Sequence, residues 1–260
     1  MDEAEYTCLR IRFFRTLNSF LDFLRCVCTF FSGGEDCICC GEKSGVLCIC
    51  KDCIKKLNFS VLENRCEICG KELVSEIRLC SSCRNEQFFK HVDRIYPLWS
   101  YRLWRKNLLF SWKTQEKRVL SSLFASFVYK ALKEICPEAI FPIIPVPPRP
   151  GKIKRKGWDQ IDELCFYLKN LYGVRIFPLL RRLSSFQQKK LSKKERLKNS
   201  VNSFLLKSGT QINKILKNIP ETVILIDDVI TTGSTVESCA HELKRLGIKK
   251  VLVVSLFIVD

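Results

Sequence analysis

The chain has 260 residues, of which 47% are hydrophobic and 27% charged, a globular composition that excludes a disordered polymer and suits one α/β core plus a small accessory module. Lys and Arg total 44 against 27 for Asp and Glu, a formal charge of +17 that attracts anions: nucleic acid, phosphorylated small molecules or an acidic membrane face. Sixteen cysteines would fit a short secreted disulfide scaffold, but the chain is long and opens on the acidic Met1-Asp2-Glu3-Ala4-Glu5 rather than a basic leader, so the expectation is a cytoplasmic protein with reduced thiols.

Residues 1–34 read as a helical lead-in, with Leu17, Phe20, Leu21 and Leu24 at helical spacing and Gly33-Gly34 as the stop. Docking on the rest of the protein is the first expectation for this helix. Resting on the inner membrane face as a basic amphipathic segment is the second. Cys26 and Cys28 read as packing residues. Arg10, Arg12, Arg15, Asp22 and Arg25 interrupt the apolar stretches, so no transmembrane segment is expected.

Residues 35–84 form a cysteine module. Four C-x-x-C pairs occur in order: Cys37/Cys40, Cys50/Cys53, Cys66/Cys69 and Cys80/Cys83. Gly41 and Gly70 follow the first and third pairs, so 37–53 and 66–83 look like one unit duplicated. Each pair sets two thiolates on one side of a tight turn, and two pairs complete a tetrahedral S₄ site that suits structural zinc. Neighbouring knuckles are expected to pair, giving two zinc sites, with a cross-brace and iron–sulfur as alternatives. Cys39 and Cys48 are near misses. Such ribbons serve as nucleic-acid modules or as structural pegs, and the peg is the expectation here.

Residues 92–260 read as an α/β domain. Ile95–Tyr101 suggests a strand, and Leu108 to about Leu132 a helix. Pro142–Pro148 is an apolar strand running into a proline-rich loop. Asp159 to about Leu171 is helical, and 184–200 is a polar, basic loop. Val223–Ile226 is an apolar, β-branched run suited to a strand buried on both faces. Val236–Leu246 is a helix closed by Gly247, and Val251–Ile258 a second buried strand. Strand, loop, helix and strand in that order are the unit of a parallel sheet.

The chemistry concentrates after Val223–Ile226. That strand delivers Asp227 and Asp228, then Thr231-Thr232-Gly233-Ser234-Thr235, then a helix. In open α/β sheets, ligands bind beyond the carboxyl ends of the strands. Gly233 lets backbone amides approach an anion, the hydroxyls donate, and the helix N-terminus adds unpaired N–H groups and the positive end of its dipole. A phosphate monoester suits that loop. The aspartates suit the vicinal hydroxyls of a ribose beside it. Helix capping would account for one hydroxyl residue, not for the whole run behind a double aspartate.

At these residues the sequence resembles type I phosphoribosyltransferases, and more narrowly the ComF/GntX family of competence-related proteins. The resemblance runs from Cys37 onward. It includes the cysteine module, Pro145-Val146-Pro147, Arg155-Lys156-Gly157-Trp158-Asp159-Gln160, and Arg182, Gln188, Leu191, Glu195-Arg196, Asn199 and Phe204 in the family's order. Lys156 stands where arginine is usual, Trp158-Asp159 where Phe-Asn is commoner, and Ser185 where threonine is usual. The resemblance implies a type I phosphoribosyltransferase-like fold: a parallel sheet flanked by helices, with a small hood, behind a double zinc ribbon. It implies binding of 5-phosphoribosyl 1-pyrophosphate or a related ribose phosphate. For many members it also implies handling of imported single-stranded DNA, which makes that DNA and a DNA translocase the expected partners.

If the chain is an enzyme, the residues divide the work as follows. Thr231–Thr235 would hold the 5-phosphate, and Asp227 and Asp228 the ribose hydroxyls. Mg²⁺ would bridge those hydroxyls and the pyrophosphate. Carboxylates near C1 would stabilise oxocarbenium character. Arg149, Lys152, Lys154, Arg155 and Lys156 are candidates for the pyrophosphate, with Gln160 and Arg182 beside them. Gln187–Asn199, with Gln188 and Arg196, could close as a lid. His91 is an unneeded spare for the cysteine module, and His241 belongs to packing or solvent contact. Trp99, Trp104, Trp112 and Trp158 are expected in the core, although each could stack on a base. Lys113 is a plausible anion contact. Nothing marks an acceptor pocket or a general base.

Overall fold

A computed structural model describes residues 34–45, 48–85, 89–183, 203–208 and 219–259, together with Leu24, Val27, Cys28 and Phe31. The lid expected over 187–199, including Gln188 and Arg196, lies outside the described residues, as does most of the lead-in. Leu24 and Cys28, expected to pack, are both exposed.

The strands are β1 Glu35–Asp36, β2 Lys43–Gly45, β3 Arg94–Ser100, β4 Ile143–Pro145, β5 Leu180–Arg182, β6 Phe204–Leu206, β7 Thr222–Ile230 and β8 Lys250–Ile258. The helices are α1 Lys51–Lys56, α2 Ser81–Asn85, α3 Arg105–Lys113, α4 Val119–Ile135, α5 Lys152–Lys156, α6 Gln160–Tyr172 and α7 Ser234–Arg245. β3, β8, β7 and β4 form one parallel sheet in that order, flanked by helices. β5 and β6 pair antiparallel beside it.

The two apolar runs are buried as their composition requires. Val223–Ile226 and Val251–Leu256 lie side by side in the middle of the sheet, with Val223 opposite Val251 and Ile226 opposite Val254. Ile224, Ile226, Val254 and Phe257 face α3, α4 and α6, where Trp112, Phe124 and Leu164 complete one core. Val223, Leu225, Val251 and Val253 face α7, whose Val236, Cys239, Ala240 and Leu243 complete the other. Removing large side chains from such layers costs about 2–5 kcal/mol each.

Two boundaries differ from the sequence reading. The helix expected from Leu108 to Leu132 is two, α3 and α4. The chain turns between them, with Glu116 at φ 55° and Lys117 N–H donating to the Ser111 carbonyl. That turn lets the buried Trp112 indole N–H reach the Ser121 hydroxyl at 2.8 Å. The second difference is β7, which continues past Ile226 through both aspartates because its ladder with β8 does, pairing Asp227 with Ser255 and Val229 with Phe257.

The cysteine module covers the outer edge of β3. Ile95 N–H, on that edge, donates to the Ile68 carbonyl at 2.9 Å. The buried Arg65 guanidinium donates to the carbonyls of Leu98 and Gly70 at 3.0 and 3.2 Å. Gly70 is seated so closely that a Cβ there would lie 2.3 Å from Pro97 Cδ and 2.4 Å from the Ile95 carbonyl oxygen. Trp99 Nε1 donates to the Leu57 carbonyl, and Glu134 accepts from Val61 N–H. An uncovered edge strand would invite pairing with another chain, and here the module satisfies it. Cys37 and Cys53 pack with the core on one face of the sheet, Cys66, Cys69 and Cys80 with the core on the other. Among the described residues, no helix is long and apolar enough to cross a membrane.

Candidate functional site

The sulfurs gather by neighbouring knuckles, not as a cross-brace. The Sγ atoms of Cys37, Cys40, Cys50 and Cys53 lie within 4.8 Å of one another, and so do those of Cys66, Cys69, Cys80 and Cys83. Cys40 and Cys50 are 3.7 Å apart, Cys69 and Cys80 3.6 Å. A tetrahedron with metal–sulfur bonds of ~2.3 Å has edges of about 3.8 Å, so both clusters could hold structural zinc. The duplication extends to the backbone. Gly41 and Gly70 sit at φ 81° and 70°, and each donates its N–H to the carbonyl of the first cysteine of its knuckle, Cys37 or Cys66. Burial works to raise the Cys37 and Cys66 thiols, but neighbouring backbone N–H groups outweigh it and draw them down to about 6 and about 7. Their partners Cys53 and Cys69 are pushed up, by burial first and by crowding sulfurs second. Cys39 and Cys48 stand outside both clusters.

His91 is not a spare ligand. Its Nδ1 lies 2.7 Å from Glu237 Oε1, and its ring meets that of His241 edge-on at 4.7 Å. Glu237, in the first turn of α7, also accepts the backbone N–H groups of Lys90, His91 and Val92 at 2.9, 2.9 and 3.2 Å. The segment leaving the second cysteine cluster is thereby fastened to the helix behind the hydroxyl-rich loop. Nothing local announces this, because donors and acceptor are about 146 positions apart.

The loop itself runs from the end of β7 into α7. Thr231, Thr232 and Ser234 are exposed, Thr235 is half-buried and Gly233 is buried. Gly233 is the N-cap residue at φ 76°, and a Cβ there would lie 2.3 Å from the Phe89 ring. No side chain at that position caps the helix. Thr232 and Ser234 instead bond to each other, hydroxyl to hydroxyl at 3.1 Å. Thr232 Oγ1 also accepts the Ser234 N–H at 3.4 Å, so one hydroxyl serves the helix start while those of Thr231 and Ser234 stand exposed at its mouth.

The pleat sends the two carboxylates different ways. Asp227 shares the α7 side with Val223 and Leu225, and Asp228 the α3 side with Ile224 and Ile226. Asp227 Oδ1 accepts Asp228 N–H at 2.8 Å. Burial, and then the adjacent Asp228 charge, push the Asp227 carboxyl up to about 8. Asp228 Oδ2 meets Lys113 Nζ at 2.7 Å. Lys113, read from sequence as an anion contact, is therefore held by a carboxylate.

Among the basic candidates the structure discriminates. α5 is a short basic helix with left-handed glycines, Gly151 and Gly157, at its two ends. Lys152 is tied down: its ammonium contacts Asp159 Oδ2 at 2.6 Å and also Gln160 Oε1. Asp159 caps α6 by accepting from Ile161 and Asp162 N–H. Gln160 is buried, with its Oε1 against the Lys152 ammonium of α5. Lys154, Arg155 and Lys156 are exposed, and Lys156 reaches the Lys113 carbonyl at 3.4 Å. Arg182, on β5, lies over the Phe204 ring at 5.2 Å. Trp99, Trp112 and Trp158 are buried and Trp104 is partly buried, so the tryptophans form core and not an exposed stacking surface.

No family model matches the chain. Three curated proteins do. Competence protein F of Haemophilus influenzae is 28% identical over 222 residues, spanning 81% of this chain and 89% of that protein. Competence protein ComFC of Streptococcus pneumoniae is 27% identical over 211 residues, spanning 80% and 87%. DNA utilization protein YhgH of Escherichia coli O6:H1 is 26% identical over 200 residues, spanning 70% and 85%. The matches span 70–81% of the chain, and this similarity supports a ComF family assignment.

Proposed function

We propose that the chain binds 5-phosphoribosyl 1-pyrophosphate at the C-terminal end of β7 and serves DNA uptake. One observation carries the pocket: a carboxylate pair at the end of a central strand, followed by exposed hydroxyls at the mouth of a helix whose N-cap is a glycine. Thr231–Thr235 would take the 5-phosphate through amides, hydroxyls and the helix dipole. Asp227 and Asp228 would take the ribose hydroxyls. The carboxylates of Asp227 and Asp228 are hard oxygen donors that would suit Mg²⁺, which would supply positive charge to offset that of a diphosphate leaving group. Exposed Lys154, Arg155 and Lys156 on α5 supply positive charge on the neighbouring strand's loop. Transfer of the phosphoribosyl group to an acceptor is the reaction this pocket would support. The tie to DNA uptake rests on the names of the relatives, two competence proteins and a DNA utilization protein. Calorimetry with phosphoribosyl pyrophosphate and Mg²⁺ tests the pocket, and pyrophosphate release across a panel of bases and amines tests turnover. Absence of binding heat would reject the first, and absence of release the second.

A second reading has its own support. The formal charge of +17 and the relatives' names also fit a factor that handles single-stranded DNA and uses the pocket for sensing or contact. Binding to single-stranded DNA that weakens steeply with salt would favour it, and a flat response would count against phosphate contacts.

A further inference from the structure

Lys113 closes α3, on the side of the sheet opposite α7. Its ammonium is 2.7 Å from Asp228 Oδ2, and the pair is not sealed in: the lysine side chain is 31% exposed and the aspartate 17%. Lys156 lies next to it, its Nζ 3.4 Å from the Lys113 carbonyl and 3.7 Å from Glu116 Oε1. The carboxylate pair is therefore flanked by two unlike anion-attracting features. On the α7 side stand the hydroxyls and helix mouth of Thr231–Thr235. On the α3 side stands the Lys113 ammonium, with Lys156 at its backbone carbonyl.

A ligand with a single phosphate reaches only one of these flanks. A ribose with a phosphate at one end and a diphosphate at the other spans both, with its hydroxyls between them at the carboxylates. Asp228 has to give up part of its hold on Lys113 to accept a hydroxyl there. A lysine released in this way is a compact point charge on a flexible stem, able to follow an arriving anion. The pairing also keeps the carboxylate rim from repelling that anion before it binds.

We propose that Lys113 is a diphosphate-binding residue of the pocket, parked on Asp228 until the ligand arrives. The inference rests on the ribose-phosphate reading of the loop and names the part of the ligand that Lys113 recognises. Lys113 contributes nothing to a ribose carrying only the 5-phosphate, so it selects for the activated sugar.

The test compares two ligands on three proteins. Calorimetry in Mg²⁺ buffer measures ribose 5-phosphate and phosphoribosyl pyrophosphate on the wild type, Lys113→Met and Lys113→Arg, with melting temperatures confirming that each variant is folded. The expected result is that Lys113→Met weakens phosphoribosyl pyrophosphate at least tenfold and leaves ribose 5-phosphate within twofold. Lys113→Arg, which keeps the charge, should recover most of the loss. Equal weakening of both ligands, or no weakening of the diphosphate ligand in Lys113→Met, overturns the role of Lys113 while leaving the pocket standing. A wild type that binds neither ligand overturns the pocket and the role together.

Discussion

Replacing Asp227 by asparagine should make the ligand-free protein more stable while removing its ligand. Folding lifts the Asp227 carboxyl from 3.8 to about 8, through burial and the neighbouring Asp228 charge. The folded state then holds this proton more tightly than the unfolded chain does. The native protein accordingly loses stability as pH rises from 3.8 towards about 8, and above that the loss is complete. Each pKa unit corresponds to about 1.4 kcal/mol, so even half of this shift is a cost of about 3 kcal/mol at pH 8.5. Asparagine keeps the oxygen that accepts Asp228 N–H and carries no charge to bury. For a chain of this size the gain corresponds to a rise in melting temperature of about 6–12 °C. Differential scanning fluorimetry between pH 5.5 and 8.5 reads it directly. The difference between variant and wild type should be largest at pH 8.5 and smaller at pH 5.5. A variant no more stable than wild type at pH 8.5, or stabilised equally at both pH values, would refute the reasoning.

Three other outcomes follow from the geometry. Glu237→Ala strips the acceptor from three partly buried backbone N–H groups and from His91, so it should cost about 2–3 kcal/mol in denaturant unfolding. Gly70→Ala would drive a Cβ into the Pro97 ring and the Ile95 carbonyl at a left-handed backbone position; a loss of about 3 kcal/mol or more is expected, against about 1–2 kcal/mol for Gly41→Ala, where the backbone is also left-handed but nothing lies within 4 Å of the added atom. Elemental analysis should find zinc at both four-cysteine clusters. Because metal binding supplies ~10–16 kcal/mol to comparable small modules, chelation should unmask the edge of β3 and cause aggregation, whereas a chain that tolerates chelation unchanged would contradict the structural role.

What the sequence disclosed was what periodicity and spacing encode. The buried β-branched runs at Val223–Ile226 and Val251–Ile258, the C-x-x-C rhythm and the glycine after each first knuckle are local signals, and each appears in the structure at its place. The break between α3 and α4 was hidden because it lies in a left-handed Glu116 and not in a glycine or proline. The pairs that shape the site were hidden for another reason. Lys113 with Asp228, and Glu237 with Lys90, His91 and Val92, join residues more than a hundred positions apart, and no residue type at either end declares its partner. Gln160, carried by a motif, is buried against Lys152 of α5, a contact that the motif does not announce.

The most direct test of the account is calorimetric titration of the zinc-loaded protein with phosphoribosyl pyrophosphate in Mg²⁺, on wild type, Asp227→Asn and Asp228→Asn. Saturable one-to-one binding by the wild type, weakened at least tenfold in each variant, is the predicted result. No heat with the wild type, or equal affinity in all three proteins, would contradict the claim that the end of β7 is a ribose-phosphate pocket.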